Sequence, residues 1–493
     1  MISIHQDYLQ DVMRLDIFGI RVGGEIDDPL IAPLRSAPAD AESTPADKVV
    51  NASEVSGDSD ADVQGVVPTL QPGKEYLLET VIRTMKMGHL FTQGTVDSNE
   101  IWLDVLVTSG DRTIGRSGGL SSDTKEVDPW SHFVNVFMLD QDGNRIERRN
   151  PEDIFTPLYN HQIPPGAAQT VLYQLTLPDD LDAPVRVDVK LQYRKFDQRY
   201  MDFVAKRNEE LGQTIRGHRT GTPYVNELPI TTLAEDTVIF PIEGQEQQVL
   251  QPVSTIPLWQ RWNDYGIGHL LKGKAALRQA EEAFKRVAEL DRWDGPMNLA
   301  RVYNEEGRVD EAVEALTQAQ TFADDEKFPR WTWAWLSGSI NAQQGRLVEA
   351  VQNLTSVLQD STAEMQARGF DFSLDYEVIN LAGRTLFELG NQRARQQRDD
   401  EARKHWENAI DHFHRTLEID PENVAAHYNL QLLYDRMDQP KLSEKHRELH
   451  QRYKPDDNAQ GRAIRLAREK YPAANHAAEA IVRYPLHREG APQ

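Results

Sequence analysis

Cysteine is absent from all 493 residues. That excludes disulfides, thiolate zinc sites, cysteine nucleophiles and cysteine-held iron–sulfur clusters, and with them covalent haem attachment through C-x-x-C-H. No apolar run approaches the ~20 residues that a membrane-spanning helix requires. Basic residues are in the minority: 54 Lys and Arg stand against 78 Asp and Glu, a formal charge of −24. A field of that sign repels phosphate backbones and anionic headgroups, so neither nucleic acid nor a membrane surface is an expected partner. Met1 to Asp7 has neither a basic start nor an apolar core, so no signal peptide is expected there.

What is present divides by composition. Residues 1–35 carry one strand pattern, Val12 to Arg21, rich in β-branched and aromatic residues. Residues 36–66 are acidic and free of aromatics. Seven carboxylates from Asp40 to Asp62 face the single cation Lys48, and such a segment buries too little apolar surface to offset its ordering entropy. It is expected to be a disordered acidic loop. Residues 67–250 alternate again, with runs at Tyr76 to Met85, Glu100 to Thr108, His132 to Leu139, Thr170 to Leu177, Val185 to Tyr193 and Thr237 to Ile242. Turn chemistry such as Gln71-Pro72-Gly73, Asp142-Gly143-Asn144 and Pro164-Pro165-Gly166 separates them. Short strands broken at this rate predict an antiparallel β-sandwich rather than βαβ units.

From residue 251 to 456 the apolar period is helical, and the pattern repeats internally. Leu299-Ala300, Gly307-Arg308 and Glu311-Ala312 are echoed by Leu336-Ser337-Gly338, Gly345-Arg346 and Glu349-Ala350. Leu381-Ala382-Gly383 and Ile419-Asp420-Pro421 continue the series, and an earlier unit runs from Gly266 to Asp291. These residues resemble the tetratricopeptide repeat, in which small residues sit where paired helices cross. The resemblance covers roughly 200 residues in several mutually consistent copies. Residues 457–493 are expected to form a C-terminal helix and an extended tail. The fold class is therefore multidomain, β followed by α: an antiparallel β-sandwich, then a tetratricopeptide-type α-solenoid.

Chemical motifs are weak. Gly268 to Lys274 matches G-x-x-x-x-G-K, but Ala275 stands where a magnesium-binding hydroxyl is required, and the stretch lies inside a helical repeat. His446 and His450 stand four apart without the H-E-x-x-H arrangement, which predicts a solvated helix face. No G-x-S-x-G elbow or other catalytic grouping stands out, so a non-enzymatic protein without a metal site is expected. The repeat phase turns Arg301, Asn304 and Arg384 toward the inner groove of the solenoid, where a peptide or partner helix is expected.

One segment of the sandwich is not explained by composition: Gly88-His89-Leu90-Phe91-Thr92-Gln93-Gly94, followed by Trp102-Leu103. It resembles the β-domain of bacterial multihaem c-type cytochromes, where a G-H-x-F-P-T-G loop precedes a strand containing Trp-Leu. This chain has Thr92 and Gln93 where that family has Pro and Thr. Arg145 to Tyr159, Asn160-His161 before Pro164-Pro165-Gly166, and Val187 to Tyr200 extend the similarity to a narrower group. There, a multihaem domain leads into this β-domain and a tetratricopeptide tail. The resemblance implies that His89, and less directly His161, contacts a haem c held by a partner or by a domain preceding residue 1. The alternative for His161 is an ordinary turn before Pro-Pro-Gly. Two functions stay open. One is the accessory half of a multihaem cytochrome electron-transfer system, which would be periplasmic. The other is an independent peptide-binding adaptor, which would be cytoplasmic.

Overall fold

The computed structural model describes residues 7–36, 66–92, 98–245, 249, 251–361, 365, 366, 369 and 371–492. The acidic stretch expected to be disordered lies outside the described residues apart from its two ends, Ser36 and Val66, which pair as an antiparallel bridge.

Alternating apolar residues build β1 (Met13–Val22), β2 (Leu30–Ile31), β3 (Glu75–Thr84), β4 (Glu100–Ser109), β5 (Arg112–Ser117) and β6 (Val136–Leu139). They continue through β7 (Thr156–Asn160), β8 (Ala168–Thr176), β9 (Val185–Arg194) and β10 (Ile230–Phe240), and β11 (Arg483–Pro485) comes from the C-terminal segment. Two sheets form, in the orders β11-β8-β3-β1-β2 and β10-β9-β4-β5, with a separate β6-β7 ribbon. Ile17, Ile82 and Tyr173 from one sheet share a single buried cluster with Val105, Val189 and Phe240 from the other. This is the antiparallel sandwich that the alternation predicts, with one exception: β11 pairs with β8 in parallel. After β9 the chain forms α1 (Gln198–Glu210), started by the Asp197 carboxylate accepting from the Tyr200 amide.

The helical pattern resolves into α2 (Leu258–Leu270), α3 (Leu277–Glu289), α4 (Asp294–Glu306), α5 (Val309–Gln320), α6 (Arg330–Gln343) and α7 (Leu347–Gln359). It continues with α8 (Tyr376–Arg395), α9 (Asp399–Ile419), α10 (Val424–Arg436), α11 (Pro440–Tyr453), α12 (Asp457–Lys470) and α13 (Pro472–Ala477). The chain divides into two compact units, Met1–Ala283 with Asp457–Gln493, and Phe284–Asp456. The division thus falls inside α3 rather than at residue 250, and residues 457–493, which begin with the helix α12, belong to the first unit.

The shifted boundary has a physical cause in α2. Its polar face is committed to the outer surface of the five-stranded sheet. Arg261 donates through Nε and Nη2 to the two Asp16 oxygens at 2.8 Å each, and through Nη1 to the Leu34 carbonyl at 2.6 Å. Arg21 on β1 joins Glu79 on β3 at 2.7 Å and the Tyr265 hydroxyl at 2.9 Å. Phe18 stacks on Tyr265 with centroids 4.2 Å apart. A Cβ at Gly268 would come within 2.6 Å of the Thr170 amide nitrogen on β8. Glycine therefore stands there because helix and strand backbones meet, which accounts for half of the apparent phosphate-loop motif.

In the second unit, α4–α5, α6–α7, α8–α9 and α10–α11 form helical hairpins. The turns share one geometry. Gly307, Gly345, Gln397 and Asp438 each take a left-handed φ, from 57° to 75°. The residue after each donates back to the carbonyl five positions earlier, as from Arg308 to Tyr303 at 2.8 Å and from Arg398 to Arg393 at 3.0 Å. Within a hairpin, close crossing selects small residues: a Cβ on Gly383 of α8 would lie 2.9 Å from the Phe413 ring of α9. Starts are capped by side chains, Asp375 for α8 and Asn423 for α10. His446 departs from expectation. It is 3% exposed rather than solvated, with Nδ1 2.9 Å from His427 Nδ1 and its ring stacked on Tyr434. Its neighbour His450 keeps the outer position, against Tyr428.

Candidate protein-interaction surface on the helical repeats

The surface is built around α6, whose sequence places three tryptophans at alternate positions. A helix turns 100° per residue, so Trp331 and Trp335 share a face and Trp333 points elsewhere. Trp333 donates its Nε1 hydrogen to the Leu316 carbonyl of α5 at 3.0 Å. Trp331 packs against Phe372 at a tilt, with ring centroids 4.7 Å apart. Trp335 lies beneath Arg301 of α4, whose guanidinium carbon is 5.7 Å from the ring centroid.

That stack holds the most informative residue of the unit. Arg301 is half-buried, and among the described residues no carboxylate pairs with it. Its Nε has no acceptor. Burial alone acts on its pKa, lowering it from the ordinary arginine value. A half-buried guanidinium laid on an indole has the planar donor edge and the charge that suit a carboxylate. Asn304, one turn further along α4, has an amide oxygen without a donor. Arg384 on α8 is exposed. The structure therefore unites Arg301 with Trp335, which sequence reasoning overlooked although the Trp331-Thr332-Trp333-Ala334-Trp335 run signalled it. It leaves Arg384 as a solvated cation on another hairpin.

The two histidines singled out from the sandwich occupy different settings. His89 is exposed in the loop after β3, with Nδ1 2.9 Å from the Leu90 carbonyl. Part of that loop, Gln93 to Asp97, lies outside the described residues. His161 follows β7 and is sandwiched between Tyr159, 4.4 Å away, and His132, 5.1 Å away. Its Nδ1 lies 3.2 Å from the Phe133 carbonyl. Burial, reinforced by the nearby Lys272 ammonium, holds its pKa down at about 4. His161 lines a cavity of about 280 Å³ together with Lys272, Gln169 and Glu479. The two histidines do not meet: one is presented to solvent, the other built into a wall. No helix among the described residues is long and apolar enough to cross a membrane.

Comparison with known proteins concerns the helices. No curated protein matches the chain. The FAT domain family matches residues 287–484, under half of the chain. Among solved structures, MamA AMB-1 is 21% identical with a TM-score of 0.30, over 40% of this chain and 98% of its own. The MamA RS-1 ArsTM double mutant is 14% identical with a TM-score of 0.29, over 43% and 96%. None of these matches is to a cytochrome. Residues 287–484 are thus similar to the FAT domain, and about two fifths of the chain is similar to MamA.

Proposed function

We propose that the chain is a non-enzymatic interaction protein whose helical repeats hold a partner polypeptide by a carboxylate, either an acidic side chain or a C-terminus. The carrying observation is Arg301, a half-buried cation stacked on Trp335 with no anion among the described residues to pair with it. A carboxylate arriving there gains a charge-assisted hydrogen bond, which contributes about 1.5–3 kcal/mol where water is excluded. In a chain of net charge −24 such a point also selects where an acidic partner docks, because the surrounding field disfavours other approaches.

Fluorescence anisotropy with a library of acidic and amidated peptides tests this. Arg301→Glu together with Arg384→Glu is expected to weaken the best acidic peptide at least tenfold. Capping the peptide carboxylate is expected to do the same to the parent protein only. Binding indifferent to both changes removes the groove from consideration.

A second reading, drawn from the cytochrome resemblance, has one observation in its favour. His89 is exposed and its Nδ1 sits at a backbone carbonyl, the arrangement in which an imidazole presents Nε2 outward as a ligand. On this reading the sandwich completes the coordination of a haem on a separate multihaem chain. Mixing the two is expected to produce a six-coordinate, low-spin iron spectrum that His89→Ala abolishes and His161→Ala leaves in place. A spectrum unchanged on mixing, or unchanged by His89→Ala, returns His89 to a turn residue and leaves the adaptor alone.

A further inference from the structure

The first unit encloses a second cavity, of about 310 Å³, that the repeat surface and the two histidines do not involve. Aromatic walls surround it: Trp130, Phe133, Phe137, Tyr159 and Tyr471. The C-terminal segment closes one side, since Tyr471 follows α12 and its hydroxyl accepts from the Arg145 amide at 3.2 Å. Ring faces carry negative quadrupole charge and favour a flat, electron-poor guest.

The polar lining divides into groups that are engaged and groups that are not. Each cation is engaged by the protein itself. Arg145 pairs with Asp197 at 3.1 Å, and Arg199 reaches Glu126 at 3.3 Å. Lys470 donates to the Asp142 carbonyl at 2.8 Å and to Asn144 Oδ1 at 2.7 Å. The unpartnered atoms are acceptors. Asn135 is 6% exposed and its Oδ1 has no donor; Gln198 is 5% exposed and its Oε1 has none. The Gln198 amide cannot simply turn over to satisfy this, because its Nε2 donates to the Tyr224 carbonyl. Buried acceptors without donors are uncommon in folded proteins and point to a guest that supplies them. Carboxylates crowd the same lining. Burial pushes Glu100 up to about 7 against the pull of Arg194, and the Asp197 charge adds to the rise.

We propose that this cavity binds a planar amidinium or guanidinium cation. Such an ion has a flat face for the aromatic walls and several N–H donors for the unpartnered Asn135 and Gln198 oxygens, and it adds a positive charge beside Glu100 and Asp197, whose present partners are Arg194 and Arg145. A carboxylate or phosphate guest fits less well, since to find a donor it would have to break the Arg145 or Arg199 ion pairs or displace the hydrogen bonds of Lys470. A neutral aromatic satisfies the walls alone.

Isothermal titration of the full chain with benzamidine, methylguanidine, benzamide and benzoate tests the assignment. Benzamidine and methylguanidine are expected to bind, with benzoate silent and benzamide at least tenfold weaker than benzamidine. Binding near pH 7 is also expected to release protons, visible as a dependence on the ionisation heat of the buffer, because a bound cation draws Glu100 into its charged form. Asn135→Leu is expected to weaken benzamidine at least tenfold. Should that variant melt early, Trp130→Ala, at a half-buried wall position, is expected to give a comparable loss in a folded protein. Absence of benzamidine binding at millimolar concentration overturns the proposal. So does benzoate binding of equal strength, or an affinity unchanged by both substitutions.

Discussion

Replacing Arg261 by methionine is expected to destabilise the first unit by about 3–5 kcal/mol, the usual consequence of removing one member of a buried ion pair. Arg261 is 2% exposed and Asp16 is 5% exposed. The substitution leaves the Asp16 carboxylate with two empty acceptor sites and the Leu34 carbonyl with one. Urea titration followed by tryptophan fluorescence reads the change as a fall in midpoint. The diagnostic variant is the double substitution Arg261→Met with Asp16→Leu. It removes both charges and is expected to recover most of the loss, since a well-packed apolar pair is often as stable as the ion pair it replaces. A single-variant loss below about 1 kcal/mol, within the range of an exposed pair, would mean that Arg35, 3.6 Å from Asp16, supplies the compensation instead.

Acidification is expected to separate His161→Gln and His269→Leu from the parent protein. Histidine has an ordinary value near 6.5, and in the folded chain burial lowers His161 to about 4 and holds His132 and His269 well below 6.5. His269 is fully buried with neither ring nitrogen partnered, facing Lys272 and Arg21. The sign follows from proton uptake. Between pH 6.5 and 4 the unfolded chain binds protons that the folded one refuses, so the stability these groups contribute is complete above 6.5 and lost as pH falls toward 4. For His161 the loss amounts to about 3 kcal/mol by pH 4. Glu100 acts in the opposite direction over the same window, because its folded value is raised to about 7 and protonation favours the native state. The total curve therefore mixes both signs, whereas the difference between each variant and the parent isolates the histidine. Thermal melts at pH 7.5 and 4.5 are expected to show a smaller drop in both variants than in the parent. An equal drop in all three would show that neither ring is kept neutral by the fold.

Much of the architecture was legible because periodicity carries it. Strands such as Glu75–Thr84 and Val185–Arg194 announced themselves by alternation, and the hairpins by recurring Gly-Arg turns at Gly307 and Gly345. The later turns escaped notice, since Gln397 and Asp438 adopt the same left-handed geometry without glycine. The unit boundary was hidden for a related reason. α2 has the apolar period of a repeat helix, and only its charged residues reveal that it belongs to a sheet, through partners such as Asp16 that lie over two hundred positions away. Arg301 was found from repeat phase, but its stacking on Trp335 depends on how α4 and α6 cross, which sequence spacing does not encode. The aromatic cavity was invisible altogether. Asn135, Gln198 and Tyr471 come from three distant segments, and none carries a local motif.

The parallel pairing of β11 with β8 makes the whole of Phe284–Asp456 an excursion with both its ends anchored in one unit. Such an insert can change its number of repeats without changing the sequence of the sandwich. While it is unfolded it behaves as a long loop, and each doubling of loop length adds only about 0.6 kcal/mol to the entropy of closure. Gaining or losing a single hairpin alters that cost by only about 0.2 kcal/mol. By this loop-closure cost the repeats are free to lengthen or shorten by internal duplication, with the strand β11 encoded after them.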